Sequence, residues 1–475
     1  MTPIKAAPLP KTFLTQMQKQ LGEDFFTFAA AYEQPPWRGV RTNLLKSDKP
    51  LGHSPTHPIP WCAEGLAFRD DLRLGQTLAY LAGLFYLQEP SAMSSAAMLD
   101  AQPGERVLDL CAAPGGKTTQ IAGAMQGQGL LVANDASPTR IQALVRNLER
   151  AGVRNAVVTT EQPRKLAERF AGFFDRVLVD APCSGEGMFR RDADVVKAYT
   201  ANKPEACAAI QLDILRHAAT MVRPGGRLVY STCTFNTVEN EGTIEKFLAE
   251  QNAEGVAFTL AKTKRIWPHK DIGEGHFVAV MTREMPKNSE PTPAKNKTTA
   301  PDTAMLTPFK TFCQTTLSAP AAQYFFDSQV VSQANHLYLQ PESTDLRGLR
   351  VARAGWHLGE VSKGTLKSET GKNRRQAPDA PRTSAEAEGR FTPSQGLAMG
   401  LRLADARYVA HLSEADAWRY TRGESLDADA ININHDIRYP TPKPWVLVGY
   451  NGHPLGWARW VQGRLKNQLP TGWVR

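Results

Sequence analysis

Val107-Leu108-Asp109-Leu110-Cys111-Ala112-Ala113-Pro114-Gly115-Gly116-Lys117-Thr118-Thr119 reads as a short apolar strand, a glycine turn and a helix start. The same pattern continues outward from it. Apolar runs at Val107–Leu110, Leu130–Asn134, Ala156–Thr159, Val177–Asp180, Arg227–Ser231 and Phe277–Met281 alternate with helical segments. From about Pro103 to Glu284 this alternation predicts an α/β domain built on a parallel, doubly wound sheet. In such sheets ligands and reacting groups sit at the carboxyl ends of the strands.

The turn itself points to a ligand class. Glycine lets backbone approach a ligand closely, and a helix N-terminus favours an anionic group. The G-x-G-x-x-G spacing of a dinucleotide site is absent, and so is the first glycine of a P-loop. A carboxylate fits, as at the methionine end of S-adenosylmethionine. Asp135 ends the next strand, where an acid can accept from ribose hydroxyls.

Two further strands each deliver a cysteine. Cys183 lies in Asp180-Ala181-Pro182-Cys183-Ser184-Gly185-Glu186-Gly187, after Phe174–Val179. Cys233 lies in Ser231-Thr232-Cys233-Thr234, after Gly226–Tyr230. Carbon 5 of cytosine is a poor nucleophile, and a thiolate adding to carbon 6 loads it with electron density. It can then attack a sulfonium methyl, after which a base removes the carbon-5 hydrogen and the thiolate leaves. Asp180, three residues before Cys183, is placed to hydrogen-bond the nitrogen edge of the ring. Methylation of exocyclic amines needs no thiol, and its Asn-Pro-Pro-Tyr type of loop is replaced here by Asp180–Cys183. This chemistry does not rank the two thiols, since DNA cytosine enzymes use their Pro-Cys thiol as nucleophile. Cys62, Cys111, Cys207 and Cys313 read as small buried apolar groups.

The chain has 475 residues, enough for two to four domains. Its formal charge is +9, and residues 286–475 carry 24 basic against 17 acidic side chains. A basic excess there favours a polyanionic partner. No apolar run predicts a membrane span, the N-terminus lacks an apolar signal core, and no cysteine spacing suggests zinc or disulfides. A cytoplasmic protein without metal is predicted. The expected division is a mixed N-terminal domain over 1–95, a catalytic domain over 96–285, a Pro/Lys/Thr-rich linker over 286–303, an intermediate module over 304–388 whose segment 369–388 is basic and flexible, and a last module over 389–475. Within the first, Lys11–Gln34 and Leu74–Leu87 read as helical, Arg41–Lys46 as extended and His53–Pro60 as a loop. In the last module, Trp445–Tyr450 and Leu455–Val461 read as strands.

At these motifs the chain resembles the RNA 5-methylcytosine methyltransferases of the NOL1/NOP2/Sun family, and within it the bacterial small-subunit ribosomal RNA type, F. The likeness extends to Arg41-Thr42-Asn43-Leu44-Leu45-Lys46, Gly83–Glu89, Glu239-Asn240-Glu241 and Glu274-Gly275-His276-Phe277. The resemblance implies a Rossmann-like S-adenosylmethionine-dependent methyltransferase domain, an α+β N-terminal domain and small C-terminal α+β and PUA-like domains. It implies Cys233 as nucleophile and Cys183 as the thiol that assists release. It also implies that Cys111, Ala112, Ala113, Pro114, Gly115, Gly116, Lys117, Asp135 and Asp180 line the cofactor and target-base pocket. Family members often carry an acid near the adenine amine. Here Gln162 takes that position, with Glu161 one residue away. Gly389–Ser394 and Gly463–Asn467 resemble the PUA-like domain, with Arg464 and Lys466 as candidate RNA contacts near Trp457, Trp460 and Trp473. The implied partner is RNA, with small-subunit rRNA or the 30S subunit favoured over tRNA, and a monomer is expected. The competing class is a non-catalytic RNA-binding assembly factor, for which an eroded thiol pair or cofactor loop would be expected. Both are intact.

Overall fold

The structure, a computed structural model, describes residues 9–47, 56–69, 72–285, 303–342, 344–362, 389–434 and 444–475. Of the expected linker 286–303, residues 286–302 lie outside the described residues, as does the basic segment 369–388, while Thr303 already begins a helix. Two compact units are formed, one from 1–296 plus 346–353, the other from 297–345 plus 354–475.

The first unit opens with helices Lys11–Leu21 and Phe25–Ala31. A four-stranded antiparallel sheet follows: β1 (Arg38–Thr42), β2 (His57–Ile59), β3 (Cys62–Phe68) and β4 (Phe85–Leu87), in the order β2-β3-β1-β4. Three sequence expectations fail here, the first at β2 itself, since His57–Ile59 lies within the stretch read as a loop and pairs antiparallel with β3. The extended run stops at Thr42, because Asn43 turns the chain by accepting from Leu45 N–H and donating to Gly83 and Ala151 carbonyls. Leu74–Leu87 is not one helix. Thr77 caps a single turn, Leu78–Leu81, and the chain breaks at Gly83, whose φ is +74. A Cβ there would meet the Arg150 carbonyl oxygen at 1.9 Å, so the apolar residues beyond it pair with β1 instead.

The large central sheet comprises β5 (Arg106–Asp109), β6 (Leu130–Asn134), β7 (Ala156–Thr159), β8 (Phe174–Asp180), β9 (Val222–Thr232), β10 (Phe258–Ile266) and β11 (His276–Arg283). Its order is β10-β11-β9-β8-β5-β6-β7, with β5 to β9 parallel. Helices cover both faces, so β6 and β7 are buried along their whole length. Leu108 and Leu130 face one core, while Val107 and Leu131 face the other. Phe277–Met281 belongs to the sheet but runs antiparallel to β9, joined to it through the β10–β11 hairpin.

One strand comes from far along the chain. Val351–Arg353 pairs antiparallel with the β7 edge, so residues 346–353 fall in the first compact unit. In the second unit, Arg390–Pro393 pairs with Trp356–Ser362 in a four-stranded sheet. That pairing carries the sheet across the expected boundary at 388/389, and one apolar core joins Phe312, Trp356, Phe391, Leu447 and Trp457. The last six-stranded sheet contains Trp445–Tyr450, as read from sequence, and His453–Val461. Trp457 is core, whereas Arg464 and Lys466 are exposed. No helix among the described residues is long and apolar enough to cross a membrane.

Candidate active site

Strands β8 and β9 are parallel neighbours in register, Asp180 opposite Ser231. Being parallel, both leave the sheet at their carboxyl ends, so the loops that follow bring Cys183 and Cys233 together. Their Sγ atoms are 3.4 Å apart. Asp180 ends β8 beside them. Lys117 Nζ donates to Asp180 Oδ2 at 2.7 Å, and Ser231 Oγ donates to Oδ1 at 2.8 Å. His276, 2 % exposed at the start of β11, places Nε2 3.7 Å from Oδ1. Burial alone would raise the Asp180 carboxyl, but the Lys117 ammonium and the His276 ring beside it outweigh burial and hold the acid well below the usual range. Lys117 is the mirror case. Burial lowers it, and Asp180 more than compensates, so its ammonium is strengthened.

The thiols differ. Cys183 is pushed well above an ordinary thiol, first by its hydrogen bond to the Cys233 sulfur and then by burial. Cys111 is raised by burial and by the acids around it.

The glycine loop leads from β5 into helix Gly116–Ala124. Gly115 caps it at φ +109, a conformation L side chains rarely adopt. Asp135 closes over this loop: Oδ2 accepts from Ala113 N–H at 3.2 Å, Oδ1 accepts from Ser137 N–H at 3.0 Å, and Arg140 NH1 stands 3.3 Å from Oδ2. Beneath it Asp109 is fully buried. Burial raises it to about 7 although Thr118 Oγ1 donates to it.

A cleft of about 500 Å³ runs along these strand ends, within the size range of small-molecule sites. Cys111, Asp135, Gln162, Asp180, Cys183 and Cys233 all line it. Ala112, Ala113, Pro114, Gly115, Gly116 and Lys117 form the adjoining loop and helix start without being lining residues, and Lys117 reaches the cleft through Asp180. Glu161 is drawn away. Its carboxylate accepts from Arg350 N–H at 2.7 Å and from the Arg350 guanidinium at 3.2 Å, which leaves Gln162 facing the cleft. Among the described residues no group of three His, Cys, Asp or Glu side chains is arranged to hold a metal ion.

Several residues near the site carried no role in the sequence reading. Ser231 and His276 hold Asp180. Arg41 donates to Gly116 O at 2.9 Å and Thr119 Oγ1 at 2.8 Å, tying β1 to the first turn of the loop helix. Glu274, 2 % exposed, accepts a two-pronged contact from Arg190 and also the Trp37 N–H, fastening the N-terminal segment to the catalytic unit. The quoted motifs were the available signal, but their partners lie tens to hundreds of residues away.

Comparison with known proteins gives four family matches: 16S rRNA methyltransferase RsmB/F over residues 96–282, the N-terminal domain of 16S rRNA methyltransferase RsmF over 9–90, the RsmF rRNA methyltransferase first C-terminal domain over 311–367, and the methyltransferase RsmF PUA domain over 407–475. The ribosomal RNA small subunit methyltransferase F of Shewanella sp. (strain W3-18-1) is 32% identical, covering 94% of this chain and 92% of its own. That of Enterobacter sp. (strain 638) is 33% identical, covering 98% and 96%. Among solved structures, PH0851 superposes with a TM-score of 0.54 at 28% identity, over 57% of this chain and 66% of that one.

Proposed function

The chain belongs to the ribosomal RNA small subunit methyltransferase F family, and from that premise we propose that it methylates carbon 5 of cytosine in 16S ribosomal RNA with S-adenosylmethionine as donor. One observation carries the reading: two thiols 3.4 Å apart open into the same cleft as an ion-paired Asp180. Methylation of an exocyclic amine would leave both thiols idle, whereas carbon 5 of a pyrimidine requires covalent activation.

The residues fit the donor. The first turn of helix Gly116–Ala124 has N–H groups that its own hydrogen bonding does not use, suited to a carboxylate. Asp135 offers acceptors for ribose hydroxyls, and the Gln162 amide faces the cleft for the adenine edge. Bound there, S-adenosylmethionine supplies an electrophilic methyl.

The chain's own groups do the remaining work. Cys233 sulfur bonds to carbon 6 and the displaced electron pair moves to carbon 5, which takes the methyl. Carbon 5 then gives its hydrogen to a base as a proton, the pair re-forms the ring double bond, and Cys233 leaves as thiolate. The Cys183 sulfur stands 3.4 Å from the Cys233 sulfur, and that contact and burial push the Cys183 thiol well above an ordinary one. We take Cys233 as the nucleophile and Cys183, in contact with its sulfur, as the thiol that eases its departure. Asp180, held anionic, accepts from the exocyclic amine of the ring. The base must leave its stack to reach the cleft. Arg464 and Lys466, exposed in the last sheet, suit RNA backbone contacts.

The test is to incubate unmethylated 30S subunits, free 16S rRNA and tRNA with the protein and S-adenosylmethionine, and to read nucleosides by mass spectrometry. We expect 5-methylcytosine in 16S rRNA, abolished in Cys233→Ala while calorimetric S-adenosylmethionine binding persists. Product confined to tRNA would overturn the substrate assignment, and turnover by Cys233→Ala would overturn the nucleophile.

A further inference from the structure

Behind the two thiols lies a buried polar cluster that the methylation chemistry does not use directly. Ser184, Glu186, Gln211, Asn236, Glu239 and Asn240 are all 0 % exposed. Its wiring is reciprocal. Glu186, three residues after Cys183, reaches across to the other loop: its Oε2 accepts from Phe235 N–H at 2.8 Å and Asn236 N–H at 2.9 Å. Glu239, six residues after Cys233, reaches back, and its Oε2 accepts from Ser184 N–H at 2.9 Å. Gln211, on helix Lys203–Met221, joins the two by donating to Glu239 Oε2 at 2.8 Å and to the Pro182 carbonyl at 2.9 Å. Asn236 Nδ2 donates to Glu239 Oε1 at 2.7 Å, and Asn236 Oδ1 accepts from Glu239 N–H at 2.8 Å. Between the loops Gly187 N–H donates to the Cys233 carbonyl at 2.9 Å, an approach a side chain would obstruct.

Burying a carboxylate that has no cation against it is costly, and the N–H donors are what offset that cost. Two such groups on two loops, each satisfied by the other loop's backbone, make the relative position of the loops a condition of their own hydrogen bonding. Pro182 and Ser184, the neighbours of Cys183, are both held through Glu239 and Gln211.

We propose that Glu239, acting with Gln211 and Glu186, is a positioning residue for the thiol pair: it holds Cys183 in reach of the Cys233 sulfur and so governs breakdown of the covalent intermediate rather than its formation. This rests on the two-thiol reading above. Glu239 is not among the residues that line the cleft, and Cys233 follows directly on the last residue of β9, which fixes its position without Glu239. Loss of the clamp therefore separates the second half of the reaction from the first.

The experiment compares Glu239→Ala, Glu239→Gln and Gln211→Ala with Cys183→Ala, each full-length, with 16S rRNA and S-adenosylmethionine. The readouts are a denaturing gel for RNA–protein adduct, kcat, and calorimetric S-adenosylmethionine affinity. Misplacing a reacting group by about 1 Å costs on the order of 100-fold, so kcat of Glu239→Ala should fall about that far. Adduct should accumulate as in Cys183→Ala, with cofactor affinity unchanged. Glu239→Gln keeps a carbonyl for Ser184 N–H and should show partial recovery. Gln211→Ala, which spares the carboxylate, gives the same signature more weakly should Glu239→Ala fail to fold. Slowed turnover without adduct in the clamp variants, while Cys183→Ala does trap one, overturns the positioning role alone. No adduct even in Cys183→Ala overturns the two-thiol reading and the clamp with it.

Discussion

Asp180 owes its charge to Lys117, and that dependence has a pH signature. The folded carboxyl lies below its unfolded range of about 4. The pair's contribution to stability is therefore fully present above that range and is lost only as pH falls through the depressed value. Lys117→Met reverses the sign, because burial then dominates and raises the acid. The variant should lose stability relative to the parent as pH rises from about 4 to about 7. Removing one partner of a buried pair costs several kcal/mol. Asp180 is 28 % exposed, so about 2 kcal/mol is expected at neutral pH. Thermal melting at both ends of the window measures it, and a gap independent of pH would contradict the assignment.

At the scale of elements, the Val351–Arg353 strand is the informative case. Its attachment to the catalytic sheet rests on Glu161, 6 % exposed, which accepts from Arg350 backbone and side chain, and on Thr160 N–H donating to Arg350 O at 2.8 Å. The Arg350 side chain is 62% exposed, so Arg350→Ala should cost under about 1 kcal/mol. Glu161→Ala removes the charge-assisted acceptor of a backbone N–H and should cost about 2 kcal/mol. Hydrogen exchange at Val157 and Val158 should quicken in the second variant only; the opposite order would mean that the guanidinium holds the strand.

The same strand shows where sequence reading stops. Strands β6 and β7 and Trp445–Tyr450 were legible residue for residue, because each is a short, mainly apolar run that is buried over all or nearly all of its length. Val351–Arg353 is three residues long, and its partner lies almost two hundred positions earlier, so no local period betrays it. Leu74–Leu87 misled because its apolar spacing suits a helix, while the break at Gly83 is imposed by the Arg150 backbone packed against it. The site divides the same way. Cys183, Cys233, Asp180 and Asp135 stood out by chemistry and position at strand ends. His276, Ser231 and the Glu186–Glu239 clamp did not, since what they do depends on loops that meet only after the sheet has formed.

For the molecule as a whole, the sheet delivers two loops to one edge, the acids behind them fix their separation, and the strand-end cleft can admit both a methyl donor and an unstacked base. The C-terminal unit adds exposed cations suited to an RNA backbone. This account depends on which sulfur carries the base. The direct measurement is to treat 16S rRNA with the Cys183→Ala and Cys233→Ala proteins and S-adenosylmethionine, digest any cross-linked product, and locate the nucleotide-bearing peptide by mass spectrometry. The account predicts an adduct in Cys183→Ala alone, with a 5-methylcytosine-derived mass on the peptide that contains Cys233. An adduct on Cys183 in the Cys233→Ala protein, or release of 5-methylcytosine without either thiol, would contradict it.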